Sequence, residues 1–174
     1  IPNAMKTIKE NQRRIPELMK TIHATGEGNF GVNERGILAL VNQDRLKRIL
    51  TKMLDENEFL GPHGIRSISK FHEQHPYVMH VGGQEFKVNY LPAESDSGMF
   101  GGNSNWRGPV WMPVNFLIVR NLQRYGWYLG ENRQIEYPTG SGEKATLTEC
   151  ADDVRRRLIA LFTRGADGRR PHRA

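Results

Sequence analysis

The sequence predicts an all-α architecture with small β-hairpin excursions, and three observations predict it. The strong apolar periodicities are helical, the stretches of strand alternation are few and short, and strand and helix nowhere alternate as a parallel sheet requires. At 174 residues the chain is long enough to bury a core as one domain. Hydrophobic residues make up 37% and charged residues 25%, and no apolar run approaches the length of a membrane span. Residues 1–14 are amphipathic and charged rather than ordered like a secretion signal, so the chain is expected to be cytoplasmic, or else a fragment whose leader lies elsewhere.

Met5, Ile8, Ile15, Leu18, Met19 and Ile22 recur at near-helical spacing, and Pro16 breaks that pattern into two short helices or one kinked helix. Residues 25–36 carry Gly26, Gly28, Gly31 and Gly36 and read as a loop. Asn42 is a good N-cap for a helix that puts Leu46, Ile49, Leu50, Met53 and Leu54 on one face and ends near Asn57. Gly61-Pro62 marks a turn, followed by a short helix capped by Ser67 with Ile68 and Phe71 inward. Over 77–90 the period changes to two on either side of Gly82-Gly83, the pattern of a hairpin.

The next helix starts at Pro113 and stops near Gly126, with a stripe of Val114, Leu117, Ile118, Leu122 and Tyr125. A turn-rich excursion over 135–147 precedes a capping box of Thr146 and Glu149. The helix it opens is expected to bury Cys150, Val154, Leu158, Leu161 and Phe162. The single cysteine, Cys150, excludes an intrachain disulfide and reads as a buried structural thiol. Residues 165–174 read as a disordered or altered tail. The net charge of +6 owes much to arginines from Arg155 onward, but without interleaved aromatics they form a solvated face, and no nucleic-acid or membrane partner is expected.

The chemistry concentrates between Leu91 and Asn115, in L-P-A-E-S-D-S-G-M-F-G-G-N-S-N-W-R-G-P-V-W-M-P-V-N. Glu94 and Asp96 are candidate catalytic carboxylates, or else acceptors that pin a glycine-rich backbone. No Lys-Ser or Lys-Thr pair follows Gly98, Gly101 and Gly102, so this is not a phosphate loop. Asn103 and Asn105 offer donors and acceptors suited to hydroxyl groups. Trp106 and Trp111 flank Arg107-Gly108-Pro109, and indole faces stack on the apolar faces of sugar rings while amides and guanidinium meet the hydroxyls. The alternative is two core tryptophans with Arg107 paired to Asp96 or Glu94. His72 and His75 lack the further ligands of a zinc pattern, so no metal or cofactor is expected.

The run G-I-R-S-I-S-K-F-H, the segment from H-V-G-G-Q to W-R-G-P-V-W-M-P-V-N, and the later E-Y-P-T-G-S-G together resemble the C-terminal catalytic region of glycoside hydrolase family 63 and related mannosylglycerate hydrolases, over about residues 37–171. The resemblance implies a partial (α/α)6 toroid and inverting hydrolysis of an α-glycosidic bond in an oligosaccharide or glycoside. It implies sugar contacts by Asn105, Trp106, Arg107 and Trp111. By the family layout, the general-acid Asp lies before Ile1 and the general-base Glu after Ala174. Residues 1–174 are thus expected to be part of a catalytic domain, inactive without the remainder. The other reading is a carbohydrate-binding or structural fragment without catalysis.

Overall fold

A computed structural model describes residues 43–92 and 108–171, together with positions 10, 13–14, 32–34 and 41. The helical pattern over 5–23 and the loop over 25–36 therefore fall mostly outside the described residues. Helix α1 spans Gln43–Met53, with Asp44 in its first turn and Lys52 in its last, as the helix dipole favours. It ends earlier than its apolar pattern predicts because Asp55 turns the chain: its carboxylate accepts from Asn57 N at 2.8 Å, and its carbonyl accepts from the amides of Glu58 and Leu60. Leu50 and Leu54 are buried, whereas Ile49, expected on the same face, is 49% exposed.

Strands β1 (Leu60–Gly61) and β2 (Gly64–Ile65) form a minimal antiparallel hairpin around Pro62 and His63. A 3-10 helix at Lys70–Glu73 follows, capped by the side chain of Ser69 rather than Ser67, and Phe71 lies outward against the ring of His75. The second hairpin, β3 (Tyr77–Val81) with β4 (Gln84–Val88), has the register that its alternation predicts. Gly82 and Gly83 both adopt positive φ, 60° and 79°, which a two-residue hairpin turn demands.

Helix α2 spans Met112–Leu129 and runs through Gly126 instead of stopping there. A Cβ on Gly126 would come within 2.4 Å of the Thr148 hydroxyl, so this glycine allows a close helix crossing rather than a helix end. The buried face of α2 is Asn115, Val119, Leu122 and Gly126, at spacings of four, three and four residues. The predicted stripe was rotated from it: Leu122 is buried, but Leu117 is 57% exposed.

A third hairpin pairs β5 (Gln134–Glu136) with β6 (Lys144–Thr146) and leads directly into helix α3 (Leu147–Ala160). The capping box forms as expected, with Glu149 N donating to Thr146 Oγ1 at 3.2 Å and Thr146 N donating to Glu149 Oε2 at 2.7 Å. Leu147, Cys150, Ala151, Val154 and Leu158 make the buried stripe of α3, while Phe162, placed inside by its pattern, is mostly exposed. Helices α2 and α3 pack on each other, and Leu50, Leu54, Leu60 and Ile65 close the same core.

The all-α expectation, a partial (α/α)6 toroid, is overturned. Among the described residues, three long helices are interspersed with three two-stranded antiparallel sheets, an α/β mixture. Strands of two or three residues are too short to produce a readable alternation, so β1–β2 and β5–β6 escaped a reading based on period.

Candidate functional site

Asn115 sits one turn into α2, 2% exposed, at a position that periodicity would assign to an apolar side chain. Its Oδ1 accepts from Ile65 N at 2.7 Å and its Nδ2 donates to Ile65 O at 2.9 Å, so one amide satisfies both backbone groups of the residue that ends β2. Nδ2 also donates to Trp111 O at 3.1 Å, and Asn115 N donates to the same carbonyl at 3.0 Å. The backbone of Trp111, the N-cap residue of α2, is thereby fixed against the first hairpin. Gly64 has φ 116°, and a Cβ there would strike Leu158 at 2.6 Å and Asn115 Oδ1 at 3.0 Å, so hairpin, α2 and α3 meet at a point that only glycine fits.

Residues 66–72 hold the chain on either side of 93–107. Downstream, Ser67 N donates to Pro109 O at 2.9 Å and Ser67 Oγ donates to Gly108 O at 2.8 Å, and Gly108 itself adopts φ 65°. Upstream, the Arg66 guanidinium lies 5.7 Å from the ring centroid of the buried Tyr90, whose N–H donates to His72 O at 3.4 Å. Arg66 is itself held by the carbonyls of Glu56, Glu58 and Leu60, all accepting from Nη1. Glu58 joins this group, accepting from Ser69 Oγ at 2.6 Å and pairing with Lys52.

Four described carboxylates, Glu58, Glu136, Glu149 and Asp153, have a displaced pKa, and each is held as a hydrogen-bond acceptor. Hydrogen bonds from Lys52 and then Ser69 hold Glu58 below the usual carboxyl range. Backbone N–H groups of Gly142 and Gly140 lower Glu136, and the Thr146 backbone and side chain lower Glu149. Burial pushes Asp153 upward, but hydrogen bonds from Tyr137 at 2.6 Å and Arg157 at 2.7 Å outweigh it and leave the group lowered. A general acid working near neutrality needs the opposite shift. Every described carboxylate whose pKa is displaced is displaced downward.

Trp111 is half-buried beside the anchored Gly108–Pro109 turn. Glu94, Asp96, Asn105, Trp106 and Arg107 lie outside the described residues. A separate cleft of about 500 Å³ opens between α1, the C-terminal end of α2 and the third hairpin, lined by Leu46, Lys47, Leu129, Arg133, Ile135 and Glu136 among others. It lies at the opposite end of α2 from Trp111, about 27 Å away by helix rise, and none of its lining residues is aromatic, so it lacks the stacking surface a pyranose needs. The sequence reading overlooked Arg66, Ser67 and Asn115 as parts of the site. The available signal for Asn115 was a polar residue at core spacing between Trp111 and Val119. Nothing local marked Ser67 as a partner of Gly108, forty-one residues away.

A sequence model of the mannosylglycerate hydrolase MGH1-like glycoside hydrolase domain matches residues 37–169. The chain belongs to this family. The family match begins at the boundary that the sequence resemblance gave and contains the whole W-R-G-P-V-W run with its anchors Arg66, Ser67 and Asn115. The chain is also similar to the uncharacterized protein YMR196W of Saccharomyces cerevisiae, with 54% identity over 140 residues. That alignment covers 80% of this chain and 13% of the yeast protein, so the chain spans about an eighth of the relative's length. No solved structure matches. No helix among the described residues is long and apolar enough to cross a membrane.

Proposed function

We propose that this chain supplies the sugar-contacting part of an inverting α-glycosidase of the family 63 type, acting on α-linked glucosyl or mannosyl groups in oligosaccharides or small glycosides. The family match over 37–169, with the Trp106-Arg107-Gly108-Pro109-Val110-Trp111 run inside it, carries this reading. Asn105, Trp106, Arg107 and Trp111 hold the sugar, the indoles against its apolar face and the amide and guanidinium on its hydroxyls. Inversion needs one carboxylic acid to protonate the leaving oxygen and one carboxylate to activate water on the opposite face, about 6.5–9.5 Å apart. The displaced carboxylates described above are shifted the wrong way for the acid and are committed as acceptors, Glu149 to a helix cap, Glu136 to a turn, Glu58 to Lys52 and Ser69, and Asp153 to Tyr137 and Arg157, which favours an acid and base from elsewhere in the complete enzyme. Glu94 and Asp96 are the candidates within this chain.

The commitment of these carboxylates to hydrogen bonds within the fold favours a second reading, a carbohydrate-binding piece without catalysis. Titrating the chain with maltose and with α-mannosylglycerate, while following tryptophan emission and free hexose, separates the two. Binding is expected as a saturable emission change that Trp106→Ala abolishes. Hexose release by the chain alone places acid and base within it, and loss of release in Glu94→Gln or Asp96→Asn then names them. No emission change at millimolar saccharide, with no release, removes the sugar reading.

A further inference from the structure

We infer that Arg66 and Ser67 are positioning residues: adjacent side chains on one short segment that hold the chain both before and after residues 93–107 and thereby set the placement of the Trp111 end of the sugar-contacting run. The inference rests on the sugar reading for its functional meaning, but its geometry stands without it. The upstream and downstream flanks of 93–107 meet the same short segment. Tyr90 is held by the Arg66 guanidinium over its ring and by the His72 carbonyl, and Gly108–Pro109 is held by both the N–H and the hydroxyl of Ser67.

The clamp is built from rigid parts. The carbonyls of Glu56 and Glu58 in the turn after α1 and of Leu60 in β1 fix Arg66 through a single nitrogen, which leaves the face of its planar guanidinium to Tyr90. Ser67 follows β2, whose last residue Ile65 is locked to α2 by Asn115, so the hydroxyl that holds Gly108 and the helix that begins at Met112 are tied to one frame. Ser67 gives its hydroxyl to a residue forty-one positions away instead of capping the 3-10 helix next to it, a task left to Ser69. A binding side chain such as Trp111 keeps its placement when the backbone beside it is held, and a displacement near 1 Å is enough to weaken binding substantially.

The test uses the full chain with Ser67→Ala, Ser67→Thr and Arg66→Lys. The first removes the hydroxyl, the second keeps it, and the third keeps the charge but loses the planar fork. With maltose as the probe, Ser67→Ala and Arg66→Lys are expected to weaken binding about tenfold at closely matched thermal midpoints, with Ser67→Thr near wild type. Wild-type binding with unchanged affinity in Ser67→Ala overturns the inference and leaves the sugar reading standing. Should wild type bind no saccharide, a ligand-free measurement decides. In a chain carrying Trp106→Phe and Trp127→Phe, acrylamide quenching of Trp111 is expected to rise on Ser67→Ala and to return on Ser67→Thr. Quenching that ignores Ser67 overturns the clamp whatever the sugar result.

Discussion

Asn115 and Ile65 are joined by two hydrogen bonds, 2.7 Å from the Ile65 N–H to Oδ1 and 2.9 Å from Nδ2 to the Ile65 carbonyl, in a place where water does not reach. A single side-chain amide therefore acts as the missing strand neighbour of a two-residue β-strand. Removing it leaves a buried donor and a buried acceptor unpaired.

Asn115→Ala is accordingly expected to destabilise the chain by about 3 kcal/mol, read as a shift in the urea midpoint at constant slope. Asn115→Asp should be comparably harmful, because one carboxylate oxygen then faces the Ile65 carbonyl. A loss below about 1 kcal/mol in Asn115→Ala contradicts the pairing.

The rotated face of α2 yields a contrast between two leucines five residues apart. Leu122 is 3% exposed and Leu117 57% exposed. Leu122→Ala should lose about 2–5 kcal/mol, whereas Leu117→Ala should stay within about 0.5 kcal/mol. Equal losses in denaturant titration would restore the face that periodicity predicted.

Asp153 provides an acid-side prediction. Burial works against its ionised form, yet hydrogen bonds from Tyr137 and Arg157 keep its folded-state pKa below the unfolded value. Glu58 moves in the same direction through Lys52 and Ser69. A depressed carboxylate contributes stability that is present above the unfolded pKa and lost as pH falls through the folded one. The thermal midpoint should therefore drop on acidification below about pH 4, and Asp153→Asn should flatten that drop. An undiminished acid slope in Asp153→Asn assigns the effect to other groups.

Cys150 contributes on the alkaline side in the opposite sense. It is fully buried, and burial raises its thiol pKa to about 12. A raised acid contributes stability below its unfolded pKa that is lost as pH rises toward the folded one, here between about 9 and 12. The native thiol should resist a disulfide reagent at pH 8 and react at the unfolding rate, and Cys150→Ala should weaken the alkaline loss. Rapid labelling of the folded chain would contradict a buried, un-ionised thiol.

Features carried by neighbours in sequence were legible in sequence. The hairpin around Gly82-Gly83, the capping box of Thr146 and Glu149, and the burial of Cys150, Val154 and Leu158 each follow from side chains within a few positions of one another. The family resemblance likewise came from contiguous runs that the family match then covered. Periodicity failed where a local pattern has several near-equivalent solutions. The apolar residues of α2 extend around much of the helix, so the inward face was settled by the close contact at Gly126 with Thr148 and by the reach of Asn115 to Ile65.

The sequence by itself determined that helices form around Leu50, Leu122 and Val154, that the central hairpin turns at Gly82-Gly83, and which family the chain belongs to, because those depend on interactions along a few consecutive residues. Only the tertiary structure decided that short sheets interrupt the helices, that α2 continues through Gly126, and that Arg66, Ser67 and Asn115 hold the flanks of the glycine-rich stretch. The physical reason is separation along the chain. Ser67 meets Gly108 and Ile65 meets Asn115 only after forty to fifty intervening residues have folded back, and no local preference encodes that meeting.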